Sequence, residues 1–327
     1  MSRIKRPAGP KSRSQGHKPG SSRHIRERSS FRDDTKSRRF PFVKVDVFSS
    51  RALEGNQLAV FPDARGLRDS EMQALAREMN LAETTFVLPR TRTVESKQGV
   101  KVRIFTVQEE LEFAGHPTLG TAFVLRKGNQ SEVALELKVG RIPVRFEQVD
   151  GELFGEMQQR DPVMGSFHDK SAVAAAAGLA PDAIDSDLPI QTVSTGMPFA
   201  MVPLRGLAIM RELNASWKRM AEYLASTDAK FLYFVTRETV DPKARLHARM
   251  IFYNGEDPAT GSAAGCCAAW MVAQGVARPD ERVLIEQGLE IRRPSRIFVR
   301  AARRGNEIVN VRVGGNVVKV MRGEVQL

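Results

Sequence analysis

The sequence predicts an α+β fold made of two similar halves, each rich in strands and each with one apolar helix. Alternating, β-branched segments typical of strands recur from Phe40 to the end of the chain. The notably apolar helical segments are residues 117–128 and 258–275, one in each half. Each follows a similar strand, at residues 102–105 or 248–252. A strand, loop and helix that recur in this way indicate a duplicated domain.

The elements of the first half are predicted from local patterns. Residues 69–80 are expected to form a helix that has Asp69 as its N-cap and Asn80 at its end. Its apolar stripe has 3,4 spacing and consists of Met72, Leu75, Ala76 and Met79. A hairpin is expected around Val139 and Gly140. The predicted strands are residues 41–50, 58–61, 84–89, 100–107 and 133–147, the last of which contains the hairpin.

The second half has a similar order of predicted strands and helices. Helices are predicted at residues 171–179 and 216–226, ahead of the apolar helix. A glycine turn separates two strands within residues 191–204. Further strands are predicted at residues 230–238, 244–253, 283–288, 295–302 and 307–327.

Charge is distributed unevenly along the chain and indicates its domain organisation. The chain has 50 Lys and Arg and 38 Asp and Glu, of which residues 1–39 hold 13 and 3, so the tail carries +10 of the net +12. A Ser-rich charge block with few apolar side chains is typical of disorder. We therefore predict a disordered basic tail at 1–39. The rest suits two domains of about 140 residues each, which we place at 40–157 and 158–327.

Several roles are open for the tail. Its charge allows weak, non-specific nucleic-acid binding through phosphate contacts, but Phe31 is its only aromatic residue and it contains no recognised module. It also suits a solubilising arm, a partner-binding segment, or sequence translated upstream of the true start. It lacks the apolar core of a signal peptide and the periodicity of a transit peptide. We expect it to be dispensable.

Composition and missing motifs exclude several classes of function. No run of about 18 apolar residues predicts a membrane span. The adjacent Cys266 and Cys267 offer neither a disulfide framework nor a zinc site, and they fit a reducing cytoplasm. His116, His168 and His247 are far apart and form no metal motif, so no metal is expected. His168 is expected to be exposed and His247 to be structural. No GxGxxG or GxxxxGK[ST] motif supports a nucleotide cofactor.

The two apolar helices begin with matching heptapeptides, HPTLGTA at residues 116–122 and DPATGSA at residues 257–263. Asp257 is predicted as an N-cap with Pro258 at the first helical position, and His116 takes the equivalent place in the first half. The first turn of a helix offers free N–H groups that bind anions. Two such ends facing each other across a cleft would hold a small acidic substrate. The alternative is that both are simply well-capped core helices.

Motifs spread over residues 40–327 resemble the phenazine-biosynthesis PhzF-like family. They are LEGNQLAVF, AREMNLAETTFVL, RIFTVQEELEFAGHPTLGTA, STGMPFAMVPL, NGEDPATGSAAG, EQGLEIRRPSRIFV and VRVGGNVVKVMRGE. The resemblance implies the diaminopimelate epimerase-like fold, in which two similar domains each wrap a β-barrel-like sheet around a central helix. It also implies an active site between the domains, C-terminal strands that cross toward the other domain, and a homodimer.

The resemblance further implies an activity. The best-known family member isomerises trans-2,3-dihydro-3-hydroxyanthranilate without a cofactor, moving hydrogen from C3 to C1 so that the enol product tautomerises to a ketone. Glu83 matches the acid/base of the family. The substrate-binding positions match Gly115, His116, Asp257, Gly261 and Ser262. We therefore predict a cofactor-independent isomerase of a small unsaturated amino or hydroxy acid.

The chemistry expected of Glu83 also follows from its surroundings in the sequence. Leu81, Phe86 and Val87 are apolar neighbours whose desolvation would raise the carboxyl pKa from its usual value of about 4.3. One group that acts first as base and then as acid suits hydrogen transfer on one face of a substrate. The alternative is a surface carboxylate at a strand edge.

Other functions are weighed against this one. A thiol-based racemase is disfavoured, because Cys266 and Cys267 lie inside an Ala-rich apolar helix, where cysteines usually pack. A catalytically silent small-molecule-binding protein of the same fold is one alternative, and a nucleic-acid-associated protein acting through the basic tail is another.

Overall fold

A computed structural model describes residues 37–253 and 255–327. The predicted disordered tail lies outside the described residues except for its last three positions. Residues 38–327 form one compact unit, and the proposed boundary at residue 157 stays a prediction. No helix in the described ranges combines the length and apolar character that crossing a membrane requires.

The first repeat contains all the elements predicted for it and three that were not predicted, which are α2, β5 and β8 below. Its strands are β1 (Arg39–Val47), β2 (Asn56–Phe61), β3 (Glu83–Leu88), β4 (Val100–Phe105), β5 (Glu110–Leu111), β6 (Glu132–Leu137), β7 (Gly140–Val149) and β8 (Glu152–Gln158). Its helices are α1 (Asp69–Met79), α2 (Arg92–Gln98) and α3 (Gly115–Leu125).

The second repeat has a similar order and adds one strand at its start. Its strands are β9 (Val163–Phe167), β10 (Gln191–Ser194), β11 (Pro198–Pro203), β12 (Phe231–Thr236), β13 (Ala244–Phe252), β14 (Gly255–Glu256), β15 (Val283–Gln287), β16 (Ser295–Arg304) and β17 (Glu307–Gln326). Its helices are α4 (Lys170–Ala177), α5 (Leu207–Glu212), α6 (Trp217–Leu224) and α7 (Gly261–Ala273), with a short 3-10 turn at Pro181–Ala183.

The strands of the two repeats pair in the same way. The pairs β1–β2 and β10–β11 are antiparallel, whereas β2–β3 and β11–β12 are parallel. The pairs β3–β4 and β12–β13 are antiparallel, and β4–β6 and β13–β15 are parallel across α3 and α7. The hairpins β6–β7 and β15–β16 correspond as well. This correspondence confirms the predicted duplication.

Strand β17 belongs to the sheets of both repeats. Its residue Val313 lies opposite Val299 of β16 and Met157 of β8, and Val317 further along lies opposite Val47 of β1. The pairs that β17 makes with β8 and β1 close the first repeat into an eight-stranded barrel of β1, β2, β3, β4, β6, β7, β8 and β17.

Each repeat encloses its apolar helix. Helix α3 packs against strands around the closed barrel, and its residues from Gly115 to Ala122 are all buried. Helix α7 packs against β10, β11, β16 and β17, and its Trp270 is fully buried. Helices that are apolar on all sides need such enclosure. The predicted α+β class, with barrel-like sheets around central helices, is confirmed.

The ends of helices α1 and α3 differ from the predicted ones by one to three residues. Asp69 is the first residue of α1 and not its N-cap, because Arg68 takes that place and its N–H donates to Glu71 Oε2 at 2.8 Å. Asn80 ends the helix in a left-handed conformation, as predicted. Helix α3 ends at Leu125 instead of residue 128.

Candidate active site

Glu83 and His116 meet at the mouth of the first barrel. Glu83 is the first residue of β3, and His116 is the second residue of α3. Glu83 Oε2 lies 3.4 Å from His116 Nε2, and the side chains are 16% and 6% exposed. Both atoms are buried and lack a hydrogen-bond partner among the described residues. Buried polar atoms without partners are costly, and here the two face each other in the wall of one cavity.

Burial sets the protonation of this pair. Burial and, to a smaller extent, the nearby Asp257 carboxylate together raise the pKa of Glu83 to about 8. Burial also lowers the pKa of His116 to about 3, against a smaller opposing contribution from the Gln57 backbone. At pH 7 Glu83 is therefore mostly protonated and His116 is neutral.

Asp257 approaches from the second repeat. Its Oδ1 accepts from Asn56 Nδ2 at 2.8 Å, and its Oδ2 accepts from Thr260 Oγ1 at 2.6 Å. Burial raises the pKa of Asp257 to about 7, although the Thr260 and Asn56 hydrogen bonds act to lower it. Asp257 is thus a carboxyl group that titrates near neutral pH.

Asn56 joins the two halves of the site. Its buried Nδ2 donates to Asp257 Oδ1 and to the Ala259 carbonyl oxygen at 2.9 Å, and it lies 3.2 Å from His116 Nδ1. Asn56 is the first residue of β2. One amide group therefore positions the histidine of α3 and the aspartate that precedes α7.

A second layer of hydrogen bonds lies behind Asp257. Gln287 Nε2 donates to the Asp257 carbonyl oxygen at 2.8 Å and to Thr260 Oγ1 at 3.0 Å. Gln287 Oε1 accepts from Tyr233 Oη at 3.0 Å. All these groups are buried and paired, so the segment before α7 is held rigidly.

The structure corrects the predicted caps of both helices. Asp257 is not the N-cap of α7 and Pro258 is not its first residue, because α7 begins at Gly261 after Thr260. Asp257 instead continues the β13–β14 hairpin, since its N–H donates to the Met250 carbonyl oxygen at 2.9 Å. His116 is likewise not a cap, because α3 begins one residue earlier, after Ala114.

The first turns of α3 and α7 nevertheless touch. A Cβ atom placed on Gly115 would lie 3.1 Å from the Gly261 carbonyl carbon and 3.1 Å from the Ser262 nitrogen. A Cβ on Gly261 would lie 3.0 Å from Phe48 Cζ. The two helix N-termini, with their free N–H groups and partial positive charge, therefore converge on one point.

A cavity of about 90 Å³ opens in front of these groups. Every predicted site residue contributes to its wall: Glu83, Gly115, His116, Asp257, Gly261 and Ser262. Apolar and aromatic side chains complete the wall, and they include Phe113, Met197, Phe231, Phe252 and Tyr253. The cavity combines convergent polar groups with an apolar lining, as small-molecule sites usually do.

The remaining candidate groups lie elsewhere. Cys266 and Cys267 are buried inside α7, and burial raises the pKa of the Cys266 thiol to about 11. His247 is buried between Glu286 and Glu290 at 2.9 and 3.0 Å. Its burial lowers the pKa, but the two carboxylates outweigh that and raise it to about 9. Within the described residues, no group of three His, Cys, Asp or Glu side chains is arranged to hold a metal ion.

His168 differs from the expectation of an exposed loop residue. Its side chain is only 4% exposed and lies within hydrogen-bond distance of Tyr223 Oη at 2.8 Å and Thr192 Oγ1 at 2.7 Å. The strand pair β9–β10 and helix α6 cover it.

Sequence reasoning missed the groups that position the site. Asn56, Thr260 and Gln287 each lie inside a motif that carries the family resemblance, in LEGNQ, DPATG and EQGLE. An uncharged polar residue beside a glycine in each motif was the available signal. Apart from the Thr260–Asp257 pair, which is three residues apart, their partners could not be predicted, because they are 27 to 203 residues away.

Comparisons with known proteins point to one family. A family model described as phenazine biosynthesis-like protein matches residues 45–323. An uncharacterized isomerase of Mesorhizobium japonicum is 35% identical over 298 residues, which cover 87% of this chain and 98% of that protein. The trans-2,3-dihydro-3-hydroxyanthranilate isomerase of Pseudomonas aeruginosa is 33% identical over 293 residues, covering 88% and 99%.

Solved structures agree in fold. The phenazine biosynthesis protein of the PhzF family from Bacillus anthracis has a TM-score of 0.79 and 26% identity, covering 89% of this chain and all of that chain. A hydroxyproline epimerase from Agrobacterium vitis has a TM-score of 0.58 at 14% identity, covering 89% and 93%, and shares the fold alone. The predicted enzyme class, an isomerase, is confirmed by the named relatives. The chain belongs to the phenazine biosynthesis-like protein family, of which PhzF is a member.

Proposed function

We propose that this isomerase moves one proton between two carbons of a small unsaturated amino or hydroxy acid, with Glu83 as the acid/base and without a cofactor. The observation that supports this most directly is the unpartnered, buried Glu83 Oε2, which faces His116 Nε2 at 3.4 Å within the cavity. A structural carboxyl group would have its oxygens satisfied. This one is left free for a ligand.

The raised pKa of Glu83 suits both steps of the reaction. In the first step the Glu83 carboxylate removes a proton from carbon, and the electron pair shifts along the unsaturated system. In the second step the resulting carboxylic acid returns that proton to another carbon. A pKa of about 8 makes the group a stronger base than an ordinary carboxylate and still an effective acid near neutral pH.

The other site residues bind and orient the substrate in this proposal. The N-termini of α3 and α7 at Gly115, Gly261 and Ser262 suit a carboxylate. Neutral His116 and the Asp257 carboxyl group suit the amine and hydroxyl groups of an amino or hydroxy acid. The reaction of the Pseudomonas aeruginosa relative, on trans-2,3-dihydro-3-hydroxyanthranilate, has a substrate of this class.

Three further features belong to the same proposal. A domain division at residue 157, near the end of β8, is supported by the matching pairings of strands β1–β7 and β10–β16. A reducing compartment such as the cytoplasm is supported by the two buried thiols. A homodimer is proposed from the family resemblance, and light scattering on the purified chain tests it.

Solvent-deuterium incorporation tests the role of Glu83. The probes are trans-2,3-dihydro-3-hydroxyanthranilate and 2-hydroxy-trans-3-hexenoate, each incubated in D₂O with the wild type or with Glu83→Gln. The variant keeps the shape of the side chain but cannot accept a proton, so exchange should fall by roughly 10²- to 10⁴-fold. NMR of the recovered acid measures the deuterium.

The matched control is Glu78→Gln, which changes an exposed carboxylate on α1. It should exchange deuterium at the wild-type rate. Equal exchange by wild type and Glu83→Gln would overturn the assignment of the base. Binding of either probe without exchange by the wild type would instead favour a catalytically silent binding protein.

A further inference from the structure

A second, larger chamber adjoins the catalytic cavity. It has a volume of about 250 Å³, and we call it the antechamber. The residues that line both spaces are Glu109, Leu111, Phe113, Met197 and Lys230. Those that line the antechamber alone include Val139, Ile142, Gln159, Arg160, Thr195 and Gly196. The two spaces are therefore adjacent and share one wall.

The catalytic cavity is small for the ligands that the chemistry suggests. A cavity of about 150 Å³ is known to hold one benzene ring, whereas this one measures about 90 Å³. A carboxylate and the reacting carbons fill that space. Any larger body of the substrate then has to enter the antechamber.

The antechamber wall is suited to an apolar body. Leu111, Val139, Ile142 and Met197 contribute apolar side chains. The buried polar groups are already paired, since Thr195 Oγ1 donates to Gln159 Oε1 at 2.7 Å, and Gln159 Nε2 donates to the Gly261 carbonyl oxygen at 3.0 Å. The wall therefore offers few free polar groups to a ligand.

Charged groups occur where the antechamber meets solvent. Arg160 and Lys230 are exposed on the side of the second repeat, and Glu109 and Glu112 are exposed on the side of the first. This mixed ring of charge suits water and a polar end group more than it suits the middle of an apolar chain.

We propose that the antechamber is a second subsite of the enzyme, which binds the apolar body of an extended unsaturated acid while its carboxylate and reacting carbons lie beside Glu83. This inference rests on the proposed function for the orientation of the ligand. It assigns a substrate class longer than a bare six-carbon acid.

The experiment measures how binding depends on ligand length. Isothermal titration calorimetry compares the 2-hydroxy derivatives of trans-3-hexenoate, trans-3-octenoate and trans-3-decenoate, each titrated into the full chain carrying Glu83→Gln, so that no turnover disturbs the measurement. Each methylene that enters an apolar site strengthens binding about three- to fourfold. The dissociation constant should therefore fall about tenfold from hexenoate to octenoate.

Filling the antechamber should abolish this dependence. Val139→Phe and Ile142→Phe each add volume to the wall, and with either variant octenoate and decenoate should bind no more tightly than hexenoate. The matched control is Val163→Phe, at a position that is 68% exposed on β9, and it should keep the full dependence on length. Two filling variants guard against one that folds poorly, and circular dichroism checks both.

Equal affinity for all three acids with the unfilled protein would overturn the subsite, as would an unchanged dependence on length in both filled variants. Failure of the proposed function looks different. In that case the wild type exchanges no deuterium into any of the acids, whereas the dependence of binding on length remains.

Discussion

At the scale of single residues, the site keeps two opposite kinds of titratable group uncharged at neutral pH. Burial raises the pKa of Glu83 to about 8 and lowers that of His116 to about 3. Both shifts disfavour the charged form, so the folded chain gives up stability whenever either group ionises. A site prepared for proton transfer is destabilised by the same burial that prepares it.

Glu83→Gln should stabilise the protein at high pH but not at low pH. The folded-state pKa of about 8 lies above the ordinary value of 4.5, so the folded form holds this proton more tightly than the unfolded form. The associated stability is present below about pH 4.5 and is lost as pH rises through 8. Removing the acid should gain about 2–4 kcal/mol at pH 9 and about 1 kcal/mol or less at pH 5. Urea unfolding at both pH values measures the difference, and the same gain at both would contradict it.

Asn56→Ala should shift the pH dependence of exchange as well as lower its rate. The Asn56 hydrogen bond lowers the pKa of Asp257, so its loss should move the Asp257 titration to higher pH. The unpaired Ala259 carbonyl and Asp257 carboxyl groups should cost about 1–3 kcal/mol of stability. Deuterium exchange from pH 6 to 9 checks the shift.

The control for this variant is Asn316→Ala, which removes one hydrogen bond, to the Leu153 carbonyl oxygen at 3.2 Å, far from the site residues in the sequence. It should leave the pH profile in place. If Asn56→Ala loses stability but keeps the wild-type profile, Asn56 supports the fold and does not tune Asp257.

At the scale of elements, the functional unit is the contact between the first turns of α3 and α7. Each helix is enclosed by its own sheet, and only their starts meet. This arrangement fixes the distance between Glu83 on one side and Asp257 on the other through rigid elements. Sites held by such elements keep their geometry better than sites held by loops.

Gly115→Ala should separate the two helix starts. The added Cβ would lie 3.1 Å from backbone atoms of Gly261 and Ser262, which cannot rotate away as a side chain can. We expect a loss of about 1–3 kcal/mol and a fall in exchange of roughly tenfold or more. Gly120→Ala on the same helix is the control, because its Cβ meets the side chains of Leu58 and Val47 at 2.7 and 2.8 Å.

Both variants should lose stability, as urea unfolding will show. Exchange measured under conditions where each is fully folded should fall further in Gly115→Ala than in Gly120→Ala. Equal losses in the two variants would mean that the helix contact has no special role in the activity.

The elements that could be predicted are those with strong apolar patterns. Helix α1 and the two enclosed helices have such patterns, and they were found with end errors of one to three residues. Helix α2 has no buried residue and so has no apolar stripe to detect. Strand β9 has three exposed large apolar residues, Val163, Met164 and Phe167, and its pattern does not distinguish it from a loop.

The site was predictable in composition but not in arrangement. Glu83, His116 and Asp257 were named from motifs, and they do share one cavity. The prediction that Asp257 is the N-cap of α7 and Pro258 its first residue was wrong, because a hydrogen bond from the Asp257 N–H to the Met250 carbonyl oxygen determines where Asp257 lies. Tertiary partners of this kind leave no local trace in a sequence.

At the scale of the whole molecule, net charge and function are separate properties. The chain carries +12, but residues 40–327 carry 37 basic and 35 acidic side chains. The positive electrostatic potential that would attract an anionic substrate is local and lies at the two helix N-termini. The net charge of +10 on residues 1–39 affects only the molecules that bind to that segment.

Removal of residues 1–37 should leave exchange unchanged and abolish DNA binding. The shortened chain starts at Arg38 because its backbone bonds to Leu327 at 2.7 and 2.9 Å, which belong to the compact unit. Full-length protein should retard duplex DNA at about 50 mM salt and release it by about 300 mM, since phosphate contacts weaken steeply with salt. Gel retardation compares the two chains. Equal retardation by both would show that the tail is not the nucleic-acid-binding segment.

The sharing of β17 between the repeats has a consequence for how the protein is made. The segment from β1 to β8 is translated before β17, so the first barrel lacks one strand until residues 312–326 have been synthesised. Strand β17 follows β8 and all the other strands of the second repeat in the chain. The half of the enzyme that carries Glu83 is therefore synthesised early and closed late. Loss of residues 316–327 would leave β1 without its partner β17. During synthesis, β1 is likewise an unpaired edge strand until β17 has been translated, and such an edge is a target for chaperones.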